Sequence, residues 1–170
     1  FDALNQRGVN TFFFVSLDGP NAEINDFMRG TGSFEKTTRF IKHTIEAGFQ
    51  VVVNTMVIRQ NVEQLCRMRD FLEQFGVHTW RLSTPREQGD MIPNSDLVMP
   101  EWAKVFSAYY ALISQAIAAD NKMKIQVGSI FRTDTLQDRI VYLFDRSSSC
   151  CEYKRWSLVV KPNGNIVPCS

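Results

Sequence analysis

Apolar residues recur along this chain in two rhythms, short continuous runs and helical stripes. NTFFFVSLDGP is a run halted by Gly19 and Pro20, which predicts a buried strand. After the polar stretch NAEINDFMRGTGS, a helix is predicted from about Ser33 to Ala47. Ser33 is its N-cap, Phe34, Ile41 and Ile45 share a face, and Gly48 ends it. FQVVVNTMVI is a second strand, rich in β-branched residues. NVEQLCRMRDFLEQFG is a second helix, with Val62, Leu65, Leu72 and Phe75 in one stripe and Gly76 as its stop. VHTWRLS reads as a third strand, and residues 84–99 as a long loop. Pro100 then opens an amphipathic helix with Trp102, Val105, Phe106, Tyr109, Leu112, Ile113 and Ala116 inward. KMKIQVGSIF is a fourth strand, and a shorter helix is expected within 134–145. The end of the chain breaks the rhythm: WSLVV, the turn residues Pro162, Asn163 and Gly164, and IVPC form a hairpin pattern.

Strand and helix in alternation predict an α/β fold of parallel βαβ units. Four such strands are too few for a closed eight-stranded barrel. They fit an open sheet or part of a barrel, with the hairpin as a separate small module. Chemistry in such folds gathers at the C-terminal ends of the strands. That singles out Ser16, Asp18 and Gly19, then Asn54 and Thr55, then Arg81 and Ser83, and the neighbourhood of Gly128.

Each of these has a plain alternative. Ser16 and Asp18 alternate onto one side of a strand and offer a hydroxyl and a carboxylate, or Asp18 simply caps a turn. Arg29, beside Gly30 and Gly32 and before a helix N-terminus, can clamp a carboxylate, or it is a solvated loop arginine. Asn54, in an apolar strand, either bonds neighbouring backbone or lines a site. Of Trp80 and Arg81, one must face inward. Cys66 reads as an inert core residue. His43 and His78 match no ligand spacing.

Composition excludes more than it selects. The 170 residues are 44% hydrophobic and 22% charged, ordinary for a soluble globular protein. The 19 Lys and Arg against 18 Asp and Glu give no footprint for nucleic acid or an anionic membrane. No apolar run approaches a membrane span. The opening FDALNQRGVN holds no secretory leader and no initiator Met, which predicts a trimmed or internal start. Four cysteines are too few and too unevenly placed for a disulfide scaffold, so a reducing, cytoplasmic setting is expected. Cys150, Cys151 and Cys169 are clustered at the hairpin, which can bring Cys169 back to the other two. Two converging thiolates are half of a zinc or iron–sulfur site.

In order, these motifs resemble the radical S-adenosylmethionine enzymes of the SPASM/twitch subgroup. The resemblance runs from VSLDGP through INDFMRGTGSF and VVVNTMVIRQN to the cysteine hairpin. The family pattern Ser-x-Asp-Gly, then Asp-x-x-Arg-Gly-x-Gly-Ser/Thr-Phe, matches Ser16 to Gly19 and Asp26 to Phe34. Asn54, Val57 and Asn61 match the pattern of its next strand. A SPASM module opens Cys, nine to fifteen residues, Gly-x-x-x-x-Cys. Twelve residues separate Cys151 from Gly164 and thirteen separate Cys150 from it, so both fit. The family's Cys-x-x-x-Cys-x-x-Cys triad, which holds the [4Fe–4S] cluster that binds S-adenosylmethionine, is absent, as is its glycine-rich stretch.

The resemblance implies residues 1–146 as the second half of a partial (β/α) TIM-like barrel and 147–170 as the first hairpin of a SPASM/twitch domain. It implies cleavage of S-adenosylmethionine to a 5′-deoxyadenosyl radical and modification of a peptide or protein. Ser16 and Arg29 would hold the methionine carboxylate and Asn54 the ribose or adenine, with Asp18 a weaker candidate. Cys151 or Cys150, with Cys169, would ligate an auxiliary [4Fe–4S] cluster, and a flavodoxin or ferredoxin would supply electrons. The competing expectation is a cut-down α/β module that binds peptides or acts as a scaffold, with a hairpin metal site and no radical chemistry.

Overall fold

The computed structural model describes residues 11–85, 91–119, 122–127, 159–160 and 166–167. In chain order it has β1 (Phe12–Ser16), α1 (Ala22–Arg29), α2 (Ser33–Glu46) and β2 (Gln50–Met56). A single 3-10 turn (Val62–Gln64) runs into α3 (Leu65–Gln74). Then come β3 (Thr79–Ser83), α4 (Met91–Val98), α5 (Trp102–Ala118), β4 (Lys124–Val127), β5 (Val159–Val160) and β6 (Ile166–Val167).

The strands β1 to β4 form one parallel sheet in the order β1-β2-β3-β4. Each strand lies beside its predecessor and the sheet advances in one direction. Crossovers of one hand then put the helices α2, α3 and α5 on the same face. Burial agrees. Val51, Val53, Trp80, Leu82, Ile125 and Val127 point to one side and are buried with Ile41, Leu65, Met68, Leu72, Val105 and Leu112 of the helices. The alternate residues point to the other side, where Phe14, Arg81, Ser83, Lys124 and Gln126 are exposed. Val52 and Thr79 on that side are buried among their strand neighbours. A doubly wound sheet has helices over both faces; among the described residues, the helices that enter this sheet's core cluster all pack on one face.

The core contains one polar relay. The Trp80 indole, fully buried, donates to Thr55 Oγ1 at 2.8 Å, and Thr55 Oγ1 donates to the Leu17 carbonyl at 2.6 Å. The relay joins β3, β2 and the exit of β1 inside an otherwise apolar layer. It also answers the Trp80–Arg81 alternation: tryptophan faces the helices and arginine the open side.

The structure adds two helices to the sequence reading. The polar stretch after β1 contains α1, whose N-cap Asn21 accepts from the Ile24 N–H at 3.0 Å. The loop 84–99 contains α4, which tolerates Pro93 because its first turn needs no intrahelical donor. A third difference concerns α5, where Trp102 is 44% and Phe106 49% exposed rather than inward. The apolar arc of α5 is wider than its seat, and Val105, Tyr109, Leu112 and Ala116 occupy the buried part. In the hairpin, β5 and β6 pair antiparallel, Val159 with Val167 and Val160 with Ile166. Its turn, and the helix expected within 134–145, lie outside the described residues.

Trp80 fills the centre of the core and spends its N–H there. Replacing it by alanine leaves a cavity and removes the bond to Thr55, a loss of about 3–5 kcal/mol. Urea unfolding of the protein carrying Trp80→Ala measures this. A loss below about 1 kcal/mol would contradict the central position of the relay.

Candidate functional site at the strand exits

Two residues past the end of β1, Asp18 has every polar group engaged. Its N–H donates to Asn25 Oδ1 at 2.9 Å, and its carbonyl accepts from Asn61 Nδ2 at 2.8 Å. Carboxylate Oδ1 accepts from the Met56 N–H at 2.8 Å, and Oδ2 from Arg29 Nε at 2.6 Å. The side chain is completely buried. One residue thus ties the exit of β1 to α1 and to the exit of β2. Asn61 completes the clasp by donating to the Met56 carbonyl and accepting from the Ile58 N–H, both at 2.8 Å. Gly19 is needed for close approach: a Cβ there would lie 2.6 Å from the Ile24 side chain and 2.9 Å from the Asn25 nitrogen.

The motif from Asp26 to Phe34 has its own logic. The Asp26 carboxylate accepts from the Gly32 N–H at 2.6 Å, the Phe34 N–H at 2.8 Å, the Ser33 hydroxyl at 2.8 Å and Asn25 Nδ2 at 3.1 Å. Asp26 therefore caps α2 from the preceding helix. The expected N-cap, Ser33, is instead the first helical residue. Gly32 is the N-cap, at φ 79°, a left-handed conformation that favours glycine. Burial pushes the Asp26 carboxyl up. The bonds from Phe34, Ser33, Asn25 and Gly32 outweigh that and bring its pKa down to about 2. Arg29, in the last turn of α1, reaches back to Asp18 with 37% of its side chain exposed. Only Nε is spent on Asp18; its terminal nitrogens have no partner among the described residues.

On the open face of the sheet, the register sets four polar residues in one row: Ser16 beside Asn54, Asn54 beside Arg81, and Arg81 beside Gln126. Three strand spacings make this row about 14 Å long. Ser16 and Asn54 are half-buried; Arg81 and Gln126 are exposed. None of the four side chains has a hydrogen-bond partner among the described residues. The Asn54 side chain bonds no neighbouring backbone among the described residues. Ser16 and Asp18 differ in kind: the Ser16 hydroxyl remains available, while the Asp18 carboxylate is consumed within the protein.

The remaining candidates are placed as follows. Cys150, Cys151 and Cys169 lie outside the described residues. Cys66 is half-buried against the core, and burial pushes its thiol pKa up. His43 is exposed, 3.5 Å from Glu46. His78 is half-buried, its pKa lowered by burial and by Lys124. Among the described residues no three His, Cys, Asp or Glu side chains form a metal-sized group, and no helix is long and apolar enough to cross a membrane. Asn25, Asp26 and Asn61 are the site residues to which sequence reasoning gave no role. Their one signal was position within the quoted motifs.

The acid limb of stability follows from Asp26. Its folded pKa of about 2 lies below the ordinary value of 3.8, so the unfolded chain takes up the proton first as pH falls. Its stabilisation is complete above about pH 4 and is lost as pH falls through about 2. Asp26→Asn should lower stability at neutral pH and flatten the decline between those values. Urea midpoints of both proteins across this range check it; superimposable acid limbs would reject Asp26 as the titrating group.

No protein-family model matches the chain. Over 76 residues it is 40% identical to the mycofactocin maturase MftC of Mycolicibacterium smegmatis, covering 44% of this chain and 19% of that protein. It is 29% identical over 99 residues to the AdoMet-dependent heme synthase of Oleidesulfovibrio alaskensis, covering 56% of this chain and 26% of that protein. Among solved structures it resembles Streptococcus suis SuiB bound to S-adenosylmethionine, with a TM-score of 0.65 at 14% identity. That match covers 93% of this chain and 36% of SuiB. SuiB bound to the precursor peptide SuiA matches with a TM-score of 0.63. The chain thus spans about a fifth to a quarter of the length of the curated relatives it matches. The likeness to SuiB is one of fold.

Proposed function

We propose that this chain, whose sequence relatives and structural neighbour are radical S-adenosylmethionine enzymes with SPASM domains, is part of an enzyme that modifies a peptide or protein. The observation that carries the reading is the pairing of an unspent polar row, Ser16 and Asn54, with an arginine held at its rim by Asp18. In this reading the one-sided sheet is the second half of a partial (β/α) barrel, with the open face toward its interior. Residues 1–146 belong to that barrel and 147–170 to an auxiliary-cluster domain.

S-adenosylmethionine, when bound and reductively cleaved, supplies a 5′-deoxyadenosyl radical that takes hydrogen from the substrate. The protein's own work is to bind and orient. The free end of the Arg29 guanidinium and the Ser16 hydroxyl suit the methionine carboxylate. The Asn54 amide, with donors and an acceptor unused, suits the ribose or adenine. Asp18 contributes by fixing Arg29. Cys151 or Cys150, with Cys169, are the ligands assigned to an auxiliary [4Fe–4S] cluster. A flavodoxin- or ferredoxin-type donor and a cytoplasmic setting belong to the same reading.

Two experiments on the full-length protein test this. A charge-assisted bond to a carboxylate is worth roughly 1.5–3 kcal/mol, so Arg29→Ala should raise the dissociation constant for S-adenosylmethionine about ten- to a hundredfold. Because that change also strips Asp18 of its counter-charge, Arg29→Lys is the control. It keeps a cation beside Asp18 but loses the planar fork. Isothermal titration should show weaker binding in both variants, with melting temperature preserved in Arg29→Lys. Unchanged affinity in both would return Arg29 to a purely structural role.

The second experiment separates the adjacent cysteines. Neighbouring residues of an extended segment point to opposite sides, so in this reading one of Cys150 and Cys151 is the ligand, and Cys151 is the one assigned. Cys151→Ser should lower auxiliary-cluster iron and sulfide, and Cys150→Ser should leave both near wild type. The reverse result moves the ligand by one residue. Full iron in both variants would remove the cluster from the hairpin.

A further inference from the structure

Resting on the reading above, we propose that Arg81 receives a carboxylate of the peptide substrate on the open face of the sheet, with Gln126 beside it. The starting point is charge. The strand residues on that face include two cations, Arg81 and Lys124, and no carboxylate. The acid nearest the strand exits, Asp18, is buried and already bonded to Arg29. Arg81 is exposed and has no partner among the described residues. A guanidinium carries five donors in a planar fork and matches a carboxylate bidentately. The Gln126 amide, its register neighbour on β4, can donate one more bond to the same anion.

Position separates this cation from Arg29. Arg29 sits over the exits of β1 and β2, bonded to Asp18, whose other oxygen holds the Met56 N–H. Arg81 rises from β3, two strands from Ser16, about 10 Å across the sheet. A carboxylate bound between Ser16 and the end of Arg29 therefore leaves Arg81 for a second anion. The cofactor supplies one carboxylate. The peptide that shares the face with it is the proposed source of the other. Phe14, 62% exposed on the same face, two strands over and two residues back in register, adds an apolar surface to that face, so a peptide that carries both a carboxylate and an apolar side chain fits the chemistry. When such a ligand excludes water from the face, the ion pair strengthens.

The carboxylate is either a peptide C-terminus or an Asp or Glu side chain. Two pairs of probes distinguish them: acetyl-Ala-Phe as acid and as amide, and acetyl-Ala-Glu-Phe amide against acetyl-Ala-Gln-Phe amide. Binding is measured by titration to the full-length, cluster-loaded protein saturated with S-adenosylmethionine. In at least one pair the carboxylate member should bind about tenfold or more tightly than its neutral counterpart. Arg81→Gln should abolish that preference, and Arg81→Lys should retain part of it. S-adenosylmethionine affinity should stay within twofold of wild type in both variants, which also shows that they fold. No preference in the wild type, or a preference that survives Arg81→Gln, overturns the proposal. A loss of S-adenosylmethionine affinity in Arg81→Gln overturns it too, by assigning Arg81 to the cofactor. A wild-type protein that binds no S-adenosylmethionine defeats the parent reading itself.

Discussion

A single buried carboxylate, that of Asp18, sets the geometry of the strand exits. Burying such a charge is costly unless it is paired and hydrogen-bonded. Here the compensation is complete: Arg29 Nε on one oxygen and the Met56 N–H on the other, with the backbone of Asp18 held by Asn25 and Asn61. These partners come from α1, the end of β2 and the turn that follows it. No one of them can shift without leaving part of Asp18 unsatisfied. The spacing of two strand exits and the aim of one arginine are thereby fixed together. That is the rigidity a site needs if it is to hold a ligand's reacting bond in place.

The sheet divides labour between its faces. One face is apolar, from Val51 and Val53 through Trp80 and Leu82 to Ile125 and Val127, and its burial against the helices drives folding. Because that face supplies the stability, the other is free to carry side chains that contribute little to the fold. Ser16, Asn54, Arg81 and Gln126 are of that kind, polar and without side-chain partners among the described residues. The Trp80–Thr55–Leu17 relay links the two roles. It pins the register of three strands from within the core, and the polar row on the opposite face inherits its alignment from that register.

Much of this was legible in the sequence, and what was not has physical reasons. The β-branched run around Val51 to Val53 and the stripe of Leu65 and Leu72 read correctly because periodicity reports burial directly. The alternation of Trp80 and Arg81 could not be oriented, since a shift of one residue reverses every side chain of a strand. The helix α1 was hidden by its polarity, although Asn21 held the cap signal. Ser33 looked like the N-cap because local rules favour serine. The carboxylate that does the capping comes from Asp26 and bonds the N–H groups of residues six and eight positions on, beyond the reach of a capping-box pattern. Asn25 and Asn61 are almost fully buried, yet their sequence neighbourhoods look like ordinary surface loop. Their importance exists only once Asp18 has been brought between them.

The choice of arginine at position 29 follows from the same constraint. An ammonium group beside Asp18 would satisfy the carboxylate but direct its remaining donors without a fixed plane. A guanidinium can spend Nε on the protein and still present the edge formed by its two terminal nitrogens. Asp18 uses that inner atom alone, and the 37% of the side chain left exposed is what a ligand can meet. In the proposed reading one residue thus holds a structural carboxylate and a ligand carboxylate at once, in a geometry that the first imposes on the second. The burial of Asp18 is what makes the arrangement directional: a solvated aspartate would let Arg29 swing, and the distance from the guanidinium to the Ser16 hydroxyl would no longer be set by the fold.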